Sequence, residues 1–368
     1  MSNLSRRRLV AVTGTAISGL VFAQPTFSQL VEKEPNHSEL IRLVSNENPY
    51  GPSESAKQAM TAAMTDGWKY AIAPLRRLQS LIAVREGVDP NQVIVTAGSG
   101  ELLRMAGLAW GLNGGIVAAR PTFSMLTAYA EAIGAEVDYV DLDTQMCHDL
   151  AAMDDRINAG TGLVYICNPN NPTGTMVAGT DIRAFIQGVK RRATIFVDEA
   201  YVELLESPER SGLIDMVKEG QNLILARTFS KIHGLAGLRV GYGIGRADLI
   251  ERLRPFQMSF VNGMGLAAAI ASYQDLGFQN YSRDKIREAM AVIYSVLDEL
   301  GLRYTPSVTN FVMFDTGGSV TKFSKAMRQS GILAGRTFAP YEGWVRISMG
   351  TVEQMHYVGD YLRQYFRP

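Results

Sequence analysis

The 368-residue chain balances 36 basic against 36 acidic residues, with 46% of its positions hydrophobic and 20% charged. That is the make-up of a soluble globular protein long enough for two domains, and with no basic run beyond the N-terminus it excludes nucleic acid as an expected partner. Cys147 and Cys167 show neither CxxC spacing nor a histidine cluster, so no metal site and no disulfide framework is expected.

The chain starts with Ser5-Arg6-Arg7-Arg8-Leu9-Val10, followed by an uncharged run from Ala11 to Ala23. A basic segment, a short apolar stretch and a Val21-Phe22-Ala23 ending describe a signal peptide, because a membrane span needs about 20 apolar residues. The arginines resemble a twin-arginine signal, which implies periplasmic export of a folded protein; the alternative is an unprocessed cytoplasmic tail. Removal of residues 1–23 takes away three arginines and no acids, leaving 33 basic against 36 acidic residues. No stable membrane insertion is expected after processing.

Residues 31–55 read as an N-terminal arm. Within it, Asn46-Glu47-Asn48-Pro49-Tyr50-Gly51-Pro52 is too rich in proline and glycine for a helix. Ser53 is placed to cap a helix running to about Met64, Gly67 to Tyr70 breaks it, and Leu75 to Val84 has amphipathic spacing. From residue 93 a unit of strand, polar turn and helix recurs. Strands are expected at Val93–Thr96, Ile116–Ala119, 136–140, Leu163–Cys167, Thr194–Val197 and Leu223–Ala226. Their unalternating apolar character fits a mostly parallel sheet sandwiched by helices, an α/β fold in which ligands bind beyond the carboxyl ends of the strands. After a long helical stretch, Tyr281 to Leu300, come strands at Asn310–Phe314 and Trp344–Ser348, a helix from Val320 to Arg328 and a last helix near Val352. The expected domains are 1–30 (signal, cleaved near 23), 31–55 (arm), 56–264 (large, cofactor-binding) and 265–368 (smaller, α+β).

The polar clusters all fall at strand ends. Lys231 follows Leu223–Ala226, with Thr228 and Ser230 before it and Gly234, Gly237 and Arg239 after it. A lysine amine can form a Schiff base with a phosphorylated aldehyde, while hydroxyls and a guanidinium hold its phosphate. Ser99 and Gly100 open a helix directly after a strand, a turn suited to an anion. Asp198 could keep a pyridinium nitrogen protonated or simply cap a helix. Tyr201 and Asn171 could reach the ring oxygen, and Phe123 could stack on a flat ring. Arg346 shares a strand face with Trp344 and Ser348, where it could clamp a carboxylate. Each signal is weak alone.

Asn168-Pro169-Asn170-Asn171-Pro172-Thr173-Gly174, Val197-Asp198-Glu199-Ala200-Tyr201, the Ser230-Lys231 segment through Gly241, and Val345-Arg346-Ile347-Ser348 together resemble the fold-type I pyridoxal-phosphate aminotransferases. The opening motif resembles the histidinol-phosphate aminotransferase branch. The resemblance implies a ping-pong amino transfer between an amino acid and a 2-oxo acid, with Lys231 carrying the internal aldimine and moving the proton. It implies Asp198 on the pyridine nitrogen, Tyr201 and Asn171 on the phenolate and Phe123 on the ring face. Ser99, Gly100, Thr228, Ser230 and Arg239 would bind phosphate. It further implies a homodimer with a shared active site, Tyr70 reaching the partner's phosphate site, and substrate contacts from Arg346, Arg336, Asn48 and Tyr50. Phe123 stands where the branch commonly has tyrosine and Gly100 where aspartate is common. Export would separate the enzyme from cytoplasmic histidine synthesis, so an amino acid with a free carboxylate is the expected substrate. A decarboxylase or lyase on the same scaffold is the alternative, and a ligand-sensing module is disfavoured.

Overall fold

The computed structural model describes residues 40–189, 192–205 and 207–367, and the expected signal peptide lies outside them. The N-terminal part runs β1 (Ile41–Leu43), α1 (Glu54–Ala63), α2 (Ile72–Glu86), β2 (Val93–Thr96), α3 (Ser99–Gly111), β3 (Gly115–Arg120), α4 (Met125–Ala132) and β4 (Val137–Asp141). Next come α5 (Leu150–Arg156), β5 (Thr161–Cys167), α6 (Gly179–Val189), β6 (Thr194–Asp198), α7 (Ser207–Lys218), β7 (Leu223–Thr228), β8 (Gly241–Gly245), α8 (Ala247–Leu253) and α9 (Gly263–Gln274). The chain closes with α10 (Leu276–Glu299), β9 (Phe311–Asp315), α11 (Val320–Gln329), β10 (Ile332–Ala334), β11 (Trp344–Ser348) and α12 (Val352–Phe366).

Seven strands form one sheet in the order β2-β8-β7-β6-β5-β3-β4. The pairs from β7 through β4 are parallel, while β8 runs antiparallel to both β2 and β7. Its central strands β5, β6 and β7 are buried along nearly their whole length. Val164, Ile195, Val197 and Leu225 belong to one apolar cluster, and Tyr165, Phe196, Ile224 and Ala226 to the cluster on the other face. Burial on both faces is why these strands read as continuous apolar runs. The predicted cap is present: Ser53 Oγ accepts from Ala56 N–H at 3.2 Å at the start of α1.

β8 carries no strand signature in sequence. Its Gly-Tyr-Gly-Ile-Gly composition disfavours a strand, yet the chain needs glycine there. A Cβ on Gly241 would collide with the backbone of Ser99, where α3 begins. Close backbone approach, not propensity, selects the residue.

A second core surrounds the antiparallel pair β9–β11 and the parallel pair β1–β10, and includes Leu43, Ile286, Ile293, Phe314, Val345 and Leu362. α9 does not belong to it. Its Leu266, Ala268, Ala269 and Tyr273 are buried with the large sheet, against α1 and α2. From Ile286 onward the buried apolar residues belong to the second core, which Ala200, Tyr201, Leu204 and Ile232 also join.

Candidate active site

β5, β6 and β7 end side by side, with Cys167 in register with Asp198 and Asp198 in register with Ala226. Parallel strands bring their C-terminal residues to one edge, so the polar clusters expected at strand ends must meet. They do, around a cavity of about 320 Å³. Of the predicted residues, Ser99, Gly100, Phe123, Asn171, Asp198, Tyr201, Thr228, Ser230, Lys231, Arg239, Arg336 and Arg346 line it.

Lys231 Nζ donates to the carbonyl of Ser45 at 3.1 Å and sits 5.6 Å from the Tyr201 ring centre. Burial, then the nearby Arg346 charge, lowers its amine to about 8. A larger share of it is then neutral, and the neutral form is the nucleophile. Asp198 is 1% exposed and accepts from Ala200 N–H at 3.2 Å, and the Tyr165 hydroxyl, which donates to the Phe123 carbonyl at 3.0 Å, lies 3.4 Å from its Oδ2. Burial raises its carboxyl to about 7. Asp198 is thus a buried acid that gains from a cation placed beside it. Tyr201 Oη accepts from Asn46 Nδ2 at 2.9 Å and from Asn171 Nδ2 at 3.4 Å. With both amides donating to it, the phenol keeps its own hydrogen free to donate into the cavity.

The candidate phosphate cup combines side chains with the backbone at the start of α3. Gly98 precedes α3 at φ 81°, and a Cβ there would collide with the Arg239 guanidinium. Arg239 Nη1 donates to Ser230 Oγ at 3.3 Å, and Thr228 Oγ1 donates to the same oxygen at 2.9 Å. Hydroxyls, a guanidinium and the N-terminus of a 13-residue helix converge as a dianion requires. Cup, buried acid and lowered amine together fit pyridoxal phosphate.

On the other wall Arg346 is 3% exposed, donating to Asn171 Oδ1 at 2.5 Å and to the carbonyl of Val44 at 2.6 Å. Its Nε has no partner. Each Nη keeps a second hydrogen for an anion in the cavity that Arg346 lines. Arg336 and Arg346 lie 4.9 and 5.1 Å from the Phe338 ring centre.

Two of the expected residues, Asn48 and Tyr50, do not line this cavity, and Tyr70, expected at a partner's site, lies away from it. Asn48 spends its amide on the Ile232 carbonyl (2.8 Å) and Ser282 Oγ (3.0 Å), and its Oδ1 accepts from Tyr50 N–H at 3.0 Å. It ties the arm to the lysine loop. Tyr50 packs edge-on against Tyr281, 5.4 Å away, outside the cavity lining. Tyr70 lies 78% exposed beside Phe260 and does not line the cavity of its own chain.

Sequence reasoning missed Tyr165 and gave Asn46 no role. Asn46 adopts φ 54°, its N–H donates to Ser348 Oγ at 2.8 Å, and Asn310 Nδ2 donates to its carbonyl at 2.9 Å. Its signal was an asparagine, which tolerates left-handed backbone, inside a Pro/Gly-dense arm. Tyr165 offered none, since a tyrosine in an apolar strand reads as core. Both cysteines are free thiols. Among the described residues, no group of acids, histidines and cysteines could hold a metal, and no helix is long and apolar enough to cross a membrane.

Residues 38–362 match the family described as Aminotransferase class I and II. The chain is 36% identical over 327 residues to a histidinol-phosphate aminotransferase of Bacillus licheniformis, covering 88% of this chain and 91% of that one. It is 38% identical over 327 residues to that of Brevibacillus brevis, covering 88% and 90%. The crystal structure of histidinol-phosphate aminotransferase from Sinorhizobium meliloti in complex with pyridoxal-5'-phosphate superposes with a TM-score of 0.81 at 26% identity, covering 94% of this chain and 99% of that one. With its strand-end lysine, buried acid and phosphate cup in one cavity, the chain belongs to the class I and II aminotransferases, as a pyridoxal-phosphate-dependent enzyme of fold type I.

Proposed function

We propose that the enzyme transfers an amino group from an amino acid to a 2-oxo acid in two half-reactions, with Lys231 as nucleophile and proton carrier. The observation that carries this reading is the meeting of Lys231, Asp198, Tyr201 and the Thr228–Ser230–Arg239 cup in one cavity. When bound, pyridoxal phosphate supplies an electron sink for the bonds at the substrate's α-carbon. Asp198 accepts a hydrogen bond from the ring nitrogen and holds its proton there. The Tyr201 hydroxyl and the Asn171 amide donate to the ring oxygen, and Phe123 covers a ring face. Lys231 Nζ, free as a neutral amine, would take the α-proton and deliver it to the cofactor's aldehyde-derived carbon, on the far side of the shared nitrogen.

Arg346, which lines the cavity, is the substrate's carboxylate partner. Arg346→Ala should raise KM for carboxylate substrates by roughly 30- to 5000-fold, as expected when one partner of a buried charge pair is removed at a cost of about 2–5 kcal/mol. An unchanged KM would assign the carboxylate to another group. A second reading, an amino alcohol phosphate such as histidinol phosphate, is favoured by Arg336 beside Arg346 and by the relatives' activity. Assaying an amino-acid panel and histidinol phosphate against 2-oxoglutarate separates the two.

We further infer a homodimer in which Tyr70, with the exposed Met64, Trp68 and Phe260, lies at the subunit contact. Export by the N-terminal segment completes the reading. A sedimenting mass of one 40.3 kDa chain would remove the dimer, and full-length protein in the cytoplasmic fraction would remove the export.

A further inference from the structure

β6 and β7 each end in a residue of the candidate site, Asp198 and Thr228, and each carries half of a buried ion pair one position away. Glu199 follows Asp198, and Arg227 precedes Thr228. Side chains alternate across a strand, so Arg227 projects to the sheet face opposite Ala226 and Thr228. There Arg227 Nε donates to Glu199 Oε2 at 2.8 Å and Nη1 reaches Glu86 Oε1 at 2.9 Å. Glu86 is the last residue of α2, and the Tyr273 hydroxyl on α9 donates to the same oxygen at 3.3 Å. One guanidinium thus joins two strand ends and the end of a helix. The side chains of Arg227, Glu199 and Glu86 are only 6, 3 and 13% exposed.

The cluster borders a cavity of about 360 Å³ that Glu203 and His233 also line. Arg227 Nη2 and Glu203 Oε2 lack partners. Such a group is a poor source of net stability, because apolar residues of the same size would pack there at a lower desolvation penalty. What a planar guanidinium adds is direction, because one rigid fork sets the hydrogen bond to Glu199 and the ion pair with Glu86 relative to each other. The backbone couples at the same point, where Glu199 N–H donates to the Ala226 carbonyl at 2.8 Å. Asp198 has to meet the ring nitrogen while Lys231, three residues past Thr228, meets the aldehyde carbon. A slip of one strand end against the other misaligns these two contacts.

We propose that Arg227 is a positioning residue for the cofactor site, holding through Glu199 and Glu86 the strand ends that present Asp198 and the Thr228–Lys231 loop. This rests on the reading of Asp198 and Lys231 as the cofactor's partners. The test uses the holoenzyme and two substitutions. Arg227→Lys keeps the charge and loses the fork, while Glu199→Gln keeps an acceptor oxygen and loses the charge. The readouts are the cofactor Kd, the pH midpoint of the bound cofactor's visible absorbance, and kcat with KM.

For Arg227→Lys, a Kd roughly tenfold weaker and a kcat roughly 10- to 100-fold lower are expected, with KM little changed. The absorbance midpoint should move by about half a pH unit or more, and Glu199→Gln should move all three in the same direction by less. A folded Arg227→Lys protein with a lower Tm but wild-type Kd, midpoint and kcat would overturn the proposal. Should Arg227→Lys not fold, Glu199→Gln decides by the same readouts, and wild-type values there overturn it. Wild-type protein that binds no pyridoxal phosphate would instead overturn the reading of the site.

Discussion

Lys231→Ala should lose turnover by a factor on the order of 10⁴ or more, because it removes the nucleophile and the proton carrier together. The same protein should lose the visible absorbance of lysine-bound cofactor. Retention of near-normal transamination would end the assignment of Lys231. The amine, lowered to about 8 by burial, adds a pH signature. Its native value lies below the unfolded one, so the native state disfavours the charged form. Capture of pyridoxal phosphate by the cofactor-free protein should therefore accelerate as pH rises through about 8 and level off above it. A midpoint near 10 would show that the site does not desolvate this amine.

Asp198→Asn is expected to have the next largest effect. It preserves size and keeps a hydrogen-bonding oxygen, but removes the buried charge facing the ring nitrogen. Breaking such a pair costs about 3–5 kcal/mol, so kcat should fall roughly 150- to 5000-fold. Wild-type kcat in this variant would remove Asp198 from the mechanism. Stability of the cofactor-free protein should move the other way. Burial raises this carboxyl to about 7, above its unfolded value. The native state then binds more protons between pH 4 and 7, and its stability falls as pH rises through that window. Above pH 7, cofactor-free Asp198→Asn should melt higher than wild type, and the advantage should shrink as pH falls towards 4. Thermal melts across this range measure it. A charge that destabilises the empty protein and supports the loaded one is a mark of a functional site.

The same logic explains which residues could be read in advance. Lys231, Asp198 and Asn171 each follow an apolar run that had to become a buried strand, and parallel strands deliver their C-terminal residues to one edge. Pattern and topology point to the same place, so the cofactor half of the cavity was legible. Tyr165 was hidden because a core tyrosine and a tyrosine beside a buried carboxylate occupy the same kind of apolar strand. Arg227 and Glu199 were quoted inside motifs, yet their pairing joins positions 28 residues apart across two strands.

The chain by itself determined the strand–turn–helix rhythm, the mostly parallel sheet and most of the residues that line the cavity, because hydrophobic periodicity and strand-end polarity are local quantities. Tertiary structure alone decided the antiparallel glycine strand β8, the placement of α9 with the large sheet, and the removal of Asn48 and Tyr50 from the cavity. Each depends on what a distant segment leaves room for. Gly241 is glycine because Ser99 lies against it, and Asn48 turns away because Ile232 and Ser282 take its hydrogen bonds. Packing of that kind has no period in the sequence.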